Sequence, residues 1–217
     1  QPEELMPRGY RGKEVAYILA EMQKLNNLGL LQYENNSYGL TRLLKYICYN
    51  RSVKRKVDCH YFDNNWLFIL QKDKTVKNLE EIVNISTKAC CIVIGRIPSQ
   101  YVEDTLSILS SLRSTFKYKV CFLMGIHLEE GEQVHDLPKQ FKNLLANNYF
   151  FLTPLCDKDL KWVIIDMAKQ FDVTLSNIEI QDICVSCEGD LLKAKEIITD
   201  KHIKPMLLCQ HCRSCTT

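Results

Sequence analysis

The sequence predicts an α/β fold with a parallel-sheet core, followed by a small helical domain towards the C-terminal end. Two continuous apolar runs, residues 89–94 and 119–126, are typical of strands that are covered on both faces. Residues 101–116, which lie between these runs, have apolar side chains at helical spacing, so the three segments form a β-α-β unit with a parallel crossover. After Pro154 the pattern changes to successive helical segments, which indicates a separate helical domain.

The other segments fit the same architecture. Residues 57–70 favour a hairpin or two short strands, because β-favouring residues are interrupted by the turn-forming triplet Asp63-Asn64-Asn65. The remaining core segments are predicted as helices at 13–25, 38–49, 79–85 and 137–145 and as strands at 29–33 and 149–152. The later helices are predicted at 157–171, 178–187 and 190–199, with Asp157 as an N-cap and residues 188–190 as a turn and cap. We therefore expect an α/β core at 1–154, a helical lid at 155–204 and a cysteine-rich tail at 205–217.

Composition narrows the class of protein. With 46% hydrophobic and 25% charged residues in 217, the chain has the composition of a globular domain. No apolar run approaches the roughly 18 residues that a membrane-spanning helix needs. A net charge of +2 is too small to make the whole surface a nucleic-acid footprint. Most of the eleven cysteines lie in apolar runs, as buried free thiols do, which favours a soluble protein in a reducing, intracellular compartment.

Two stretches carry a resemblance to a known family. Residues 149–165 resemble the segment that leads from the last core strand, through Pro154-Leu155, into the first lid helix of AAA+ proteins. Residues 187–194, Cys-Glu-Gly-Asp-Leu-Leu-Lys-Ala, are similar to the Gly-Gly-Asp-Leu-Arg-x-Ala start of a later lid helix in that family. Together with the order of core and lid, they resemble the clamp-loader and origin-recognition branch of the AAA+ superfamily.

The resemblance implies a phosphate loop, which we align with residues 7–14, Pro-Arg-Gly-Tyr-Arg-Gly-Lys-Glu. Gly12 and Lys13 are retained and form a vestigial nucleotide-binding position. Pro7 replaces the first glycine and has no amide proton, and Glu14 replaces the hydroxyl that binds Mg²⁺. This alignment leaves no strand before the loop, which is compatible with a piece of a longer chain but does not decide the question.

The other positions that ATP hydrolysis requires are also altered. The metal-binding Asp and the water-activating Glu of the family correspond to Gly95 and Arg96. The polar residue that positions water corresponds to Gly125 or Ile126, and the lid arginine corresponds to Leu192. No other catalytic motif is present, and structural or surface roles are the default for the five histidines.

The resemblance therefore implies a pseudo-ATPase with no catalytic residues and no required cofactor, acting as an interaction platform in a nucleic-acid or chromatin assembly. Its partners would be other proteins of that assembly and DNA, with no membrane, and its location would be nuclear or, alternatively, cytoplasmic. Two other functions stay open: a domain that holds nucleotide without hydrolysing it, and a protein-binding module organised by zinc.

A basic run supports the link to DNA. Its cations are Arg51, Lys54, Arg55 and Lys56, which would serve as phosphate contacts on nucleic acid or as a nuclear-import signal. The alternative is a solvated turn before a strand, because short basic runs are common on surfaces.

Two cysteine pairs raise the question of zinc. Cys184 and Cys187 form one C-x₂-C pair, and Cys209 and Cys212 form another. Four thiolates from two such pairs would satisfy tetrahedral Zn²⁺ if the tail folded back, with His211 and Cys215 as spare ligands. The alternative is that Cys184 and Cys187 are buried thiols one turn apart on a helix.

Overall fold

The computed structural model describes residues 9–49, 57–63 and 72–205. Along these ranges, helices and parallel strands alternate until residue 151, and only helices follow. The strands are β1 Leu28–Tyr33, β2 Asp58–Asp63, β3 Cys90–Pro98, β4 Val120–Leu128 and β5 Tyr149–Phe151. The helices are α1 Gly12–Gln23, α2 Leu40–Tyr49, α3 Lys72–Ile85, α4 Val102–Thr115, α5 Lys139–Leu145, α6 Asp157–Gln170, α7 Asn177–Cys187 and α8 Leu191–Ile198.

The five strands form one parallel sheet in the order β2-β3-β4-β1-β5. The first strand along the chain, β1, is therefore an interior strand, between β4 and β5. The β3–β4 register slips between Ile94 and Ile97, where a bulge inserts an extra residue into β3. The predicted parallel α/β core is confirmed.

The two faces of the sheet bury different helices. Because side chains alternate along a strand, Ile92, Phe122 and Ile126 share one face, where they join the cluster that includes residues of α3, α4 and α5. The other face is covered by α2: a Cβ added at Gly125 would lie 2.6 Å from Leu44. Both faces are thus buried, which explains why β3 and β4 are apolar along nearly their whole length.

Two predicted elements differ from the structure, and a third is described only in part. Helix α3 begins at Lys72, seven residues before the predicted start. Its first residues are polar, so apolar spacing does not reveal them, although Thr75 is buried as fully as Leu79. Of the predicted hairpin or pair of short strands, the described residues contain β2, which pairs with β3, and residues 64–71 lie outside the described ranges. The N-cap of α6 is Cys156, without a side-chain cap, and the predicted cap Asp157 lies in the first turn.

The chain divides into two compact units. The first comprises the described residues up to Asn35 together with Leu40–Leu152, and the second comprises Asn36–Gly39 together with the described residues from Thr153. The second unit is built by α6, α7 and α8, which bury Val163, Ile183 and Ala194. Across the described parts of both units, no helix combines the length and apolarity needed to cross a bilayer.

Candidate functional site

A ligand is expected at the carboxyl ends of the strands, because open parallel sheets bind ligands outside that edge. A phosphate loop in such a fold connects a strand to the helix that follows it. The segment β1, residues 34–39 and α2 is such a unit. It places the pattern G-x-x-x-x-G-K-[ST] on residues 34–41.

The fold offers a second alignment of the phosphate loop, beside the one at residues 7–14. Strand β1, predicted at residues 29–33, leads into residues 34–41, whereas Gly12 and Lys13 lie upstream of it, in the first turn of α1. Of the loop pattern, Gly39 and Thr41 match, whereas Glu34 replaces the first glycine and Leu40 replaces the lysine. A contact of Gly12 or Lys13 with nucleotide stays a prediction that the order of strands does not favour, because no described strand leads into them.

The side chain at the lysine position is part of the core. Leu40 is 1% exposed, and its Cδ2 lies 3.3 Å from where a Cβ on Gly125 of β4 would stand. A phosphate-binding lysine projects its ammonium towards the ligand. Leu40 instead fills space between α2 and the sheet. Because it is not a lysine, residues 34–41 do not match the phosphate-loop pattern in the sequence.

Within the second unit, a carboxylate accepts a hydrogen bond from a backbone amide of this loop. Asp190 caps α8: its Oδ1 accepts hydrogen bonds from the amides of Leu192 at 2.8 Å and Lys193 at 3.1 Å. Its Oδ2 accepts a hydrogen bond from the amide of Ser37 at 3.0 Å, and the amide of Leu191 donates to the Ser37 carbonyl at 2.7 Å. A loop amide that could meet a phosphate oxygen is therefore bonded to an anion of the chain itself.

The end of β3, where a hydrolysing enzyme carries its acidic pair, is filled by a tyrosine. Gly95 lies in the bulged part of β3, and a Cβ added there would overlap the hydroxyl of Tyr61 and lie 2.9 Å from its Cζ. Burial is the largest cause that raises the pKa of Tyr61, so its hydroxyl stays protonated. Lys45 of α2 lies 5.5 Å from the centroid of the same ring. The ring occupies the space that a metal-binding aspartate would need.

The end of β4 carries a polar residue that the sequence analysis assigned to no site. The strand runs to Leu128, two residues beyond the predicted end, and His127 pairs in register with Gln32 of β1. His127 is 8% exposed, and its Nε2 has no hydrogen-bond partner among the described residues. Burial, followed by the nearby charge of Arg96, lowers the pKa of His127 to about 4. Its position as the sole histidine of an otherwise apolar run was the available signal.

The neutral state of His127 predicts a pH-dependent stability. Between the ordinary pKa of histidine and about 4, the unfolded chain binds a proton that the folded chain does not, so stability falls as pH falls through this window. We expect the free energy of unfolding to decrease by up to about 2 kcal/mol from about pH 7.5 to about pH 5. Urea titrations at both pH values measure this difference.

Two variants isolate the contribution of His127. His127→Gln should remove most of the pH-dependent loss, whereas His135→Gln, at an exposed histidine, should keep it. An equal loss in the wild-type protein and in His127→Gln would show that other groups cause it.

Most of the remaining predicted site residues lie outside the described ranges. Arg51, Lys54, Arg55 and Lys56 lie outside the described residues, as do Cys209 and Cys212. Leu192, at the position of the lid arginine, is 52% exposed on α8.

The first cysteine pair lies in the interior of the second unit. Cys184 and Cys187 are buried on α7, with the Cys187 thiol 3.7 Å from the Cys184 carbonyl. Burial raises the pKa of both thiols, which disfavours the thiolates that zinc requires. Within residues 9–49, 57–63 and 72–205, no three Cys, His, Asp or Glu side chains are grouped to hold a metal. Zinc at the four cysteines stays a prediction.

Comparison with known proteins identifies the fold. The sequence matches no family model and none of the curated proteins. Among solved structures, the RuvB Holliday junction branch migration motor of Thermotoga maritima is similar, with a TM-score of 0.57, 16% identity and coverage of 96% of this chain and 65% of RuvB. The ORC1 protein of Aeropyrum pernix, solved in complex with DNA, has a TM-score of 0.60 and 14% identity, with coverage of 90% of this chain and 60% of ORC1.

A third structure is matched over most of its own length. Domain III of the Thermotoga maritima replication initiation protein DnaA has a TM-score of 0.59 and 12% identity, with coverage of 96% of this chain and 89% of that domain. RuvB and ORC1 are longer, and this chain spans less than two thirds of either. At these identities the likeness concerns the fold, and the fold of this chain is AAA+-like.

Proposed function

We propose that this chain is a non-hydrolysing AAA+-like domain that serves as an interaction subunit in a nucleic-acid assembly. The observation that carries the proposal is the replacement of the residues that hold and cleave a nucleotide. Leu40 stands at the lysine position of the loop between β1 and α2, and Gly95 and Arg96 stand at the acidic positions of β3. Without a lysine for the phosphates or a carboxylate for Mg²⁺, the site lacks the charges that phosphoryl transfer needs.

The contacts around these positions support the same conclusion. Tyr61 fills the space beside Gly95 in the first unit. In the second unit, the Asp190 carboxylate accepts a hydrogen bond from the amide of Ser37. A phosphate oxygen at the Ser37 amide would have to displace the Asp190 carboxylate within the second unit. In the first unit, Leu40 supplies no cation for a phosphate. These contacts favour one fixed arrangement of the loop over a cycle driven by nucleotide.

The connection to nucleic acid rests on two supports. The similar structures include a motor for Holliday junctions and a protein solved with DNA. The basic run Arg51, Lys54, Arg55 and Lys56 supplies cations for phosphate contacts, and it is also the basis for a nuclear location. Multi-subunit assembly and chromatin association are parts of this proposal.

A second candidate is a domain that binds nucleotide without hydrolysing it. Gly39, with a φ of 83°, and Thr41 are retained at the start of α2, where backbone amides favour anions. These residues could hold a diphosphate weakly, with Thr41 as the remaining hydroxyl for Mg²⁺.

Calorimetric titration with ATP and ADP in the presence of Mg²⁺ separates the two. We expect no heat of binding for the wild-type protein, that is, a Kd weaker than about 1 mM. Heat that disappears in Thr41→Ala and persists in Lys13→Ala would support the second candidate. Heat that disappears only in Lys13→Ala would return the loop to residues 7–14 and contradict the position assigned from the structure.

A further inference from the structure

Two turns lie side by side at the amino ends of the strands, the edge of the sheet opposite the candidate site. One joins α3 to β3 and the other joins α4 to β4. Their strands are neighbours, with Cys90 paired to Val120, and the Cys90 amide donates to the Lys119 carbonyl at 2.7 Å. The Lys119 ammonium also donates to the Asn84 carbonyl at 3.4 Å. These contacts fix the two turns as one continuous surface.

The two turns themselves carry basic residues and no acidic ones. Residues 82–102 and 105–128, which include both turns, contain no aspartate or glutamate. Lys88 of the first turn and Lys117 of the second are exposed, and Lys119 is half-buried. Asp58 at the start of β2 adjoins the first turn, since its amide donates to the Ala89 carbonyl at 2.8 Å. The three lysines outnumber this carboxylate in a chain that is nearly neutral as a whole, so positive charge is locally concentrated.

An aromatic side chain projects from the middle of these cations. Tyr118, between Lys117 and Lys119, is 90% exposed, and Ile85 at the end of α3 is 76% exposed. The neighbouring Phe116 is half-buried against the core, so the turn has an interior position for one ring and leaves the other in solvent. An exposed ring flanked by lysines is the combination that binds unpaired bases and their phosphates.

We propose that Ile85, Lys88, Lys117, Tyr118 and Lys119, the amino-edge surface, bind single-stranded nucleic acid. The lysines contact backbone phosphates, and the Tyr118 ring stacks on one base. A single strand fits better than a duplex, because a projecting ring needs an accessible base face. Arg113 is not part of this surface, since its Nη1 donates to the Val120 carbonyl. The inference does not depend on whether the chain binds or hydrolyses ATP.

Fluorescence anisotropy with a short labelled oligothymidine tests the surface. The wild-type protein should bind it, and Tyr118→Ala should raise the Kd by about 5- to 100-fold, the loss of one stacked base. Tyr118→Phe should bind like the wild-type protein because it keeps the ring. Lys117→Ala combined with Lys119→Ala should reduce the slope of log K against log salt by about 1.4, two phosphate contacts on a single strand.

Matched controls keep the result specific. Lys158→Ala combined with Lys169→Ala removes two exposed cations of the second unit and should leave the Kd unchanged. A protein with alanines at the four cations of the basic run 51–56 should still lose affinity when Tyr118→Ala is added, which separates this surface from the DNA contact proposed above.

Three outcomes would overturn the inference. They are the absence of oligothymidine binding, an unchanged Kd in Tyr118→Ala, and equal competition by polyglutamate. The last would identify the surface as a site for an acidic protein.

Discussion

An aspartate at position 95 is expected to lower the free energy of unfolding of the first unit by about 3 kcal/mol or more. The reason is the hydroxyl of Tyr61, which overlaps the place of an added Cβ, with the ring carbon Cζ 2.9 Å from it. The carboxylate would add a second penalty, because burial already disfavours charge at the neighbouring phenol. Urea unfolding followed by circular dichroism measures the change.

Matched variants separate these causes. Gly95→Ala adds the Cβ without charge and should cost about 1–3 kcal/mol, and combining it with Tyr61→Ala should make the two effects non-additive. Gly12→Asp introduces the same carboxylate at the start of α1, where no atom lies within 4 Å of an added Cβ. It should leave stability within about 0.5 kcal/mol of the wild-type protein. A Gly95→Asp protein as stable as the wild type would show that Tyr61 does not occupy this space.

Replacing Asp190 by alanine is expected to destabilise the second unit by about 2 kcal/mol. The carboxylate accepts hydrogen bonds from the amides of Leu192 and Lys193 at the start of α8 and from the amide of Ser37 in the loop. One substitution therefore leaves three donors without their acceptor. Asp190→Asn should lose less, because an amide oxygen still caps a helix. Asp182→Ala, at an exposed position of α7, is the matched control and should change stability by less than about 0.5 kcal/mol.

Hydrogen exchange of the Ser37 amide measures the loop contact directly. The amide should exchange faster in Asp190→Ala than in the wild-type protein and in Asp182→Ala, because it loses its acceptor. Unchanged protection in Asp190→Ala would mean that another group holds the loop, and the argument for an internal anion at this amide would be lost.

The fold was predictable from the sequence where burial is continuous. Strands β3 and β4 are covered on both faces and therefore appear as apolar runs. The helices of the second unit keep a clear helical spacing, and α8 begins at the predicted cap Asp190. The length of α3 was not predictable, because its first turn, Lys72-Asp73-Lys74, is as polar as a loop. Local composition does not distinguish such a helical turn from a loop. The buried position of Thr75, which follows it, is visible only in the structure.

The candidate site was harder to predict because its contacts are long-range. Ser37 and Asp190 are 153 positions apart, and the overlap between Tyr61 and Gly95 depends on two strands lying in register. The phosphate loop was sought at the Gly12-Lys13 pair, since glycine followed by lysine is its strongest local signal. We propose residues 34–41 instead, where β1 leads into α2 and the buried Leu40 stands at the lysine position of the pattern.

The release of phosphate from ATP in the presence of Mg²⁺, compared between the wild-type protein and Thr41→Ala, tests the central claim most directly. With Leu40, Gly95 and Arg96 at the positions that cleavage requires, both proteins should release phosphate at the rate of a blank without protein. Turnover by the wild-type protein that Thr41→Ala abolishes would contradict the account, because it would show that a metal-bound nucleotide is held and cleaved at this loop.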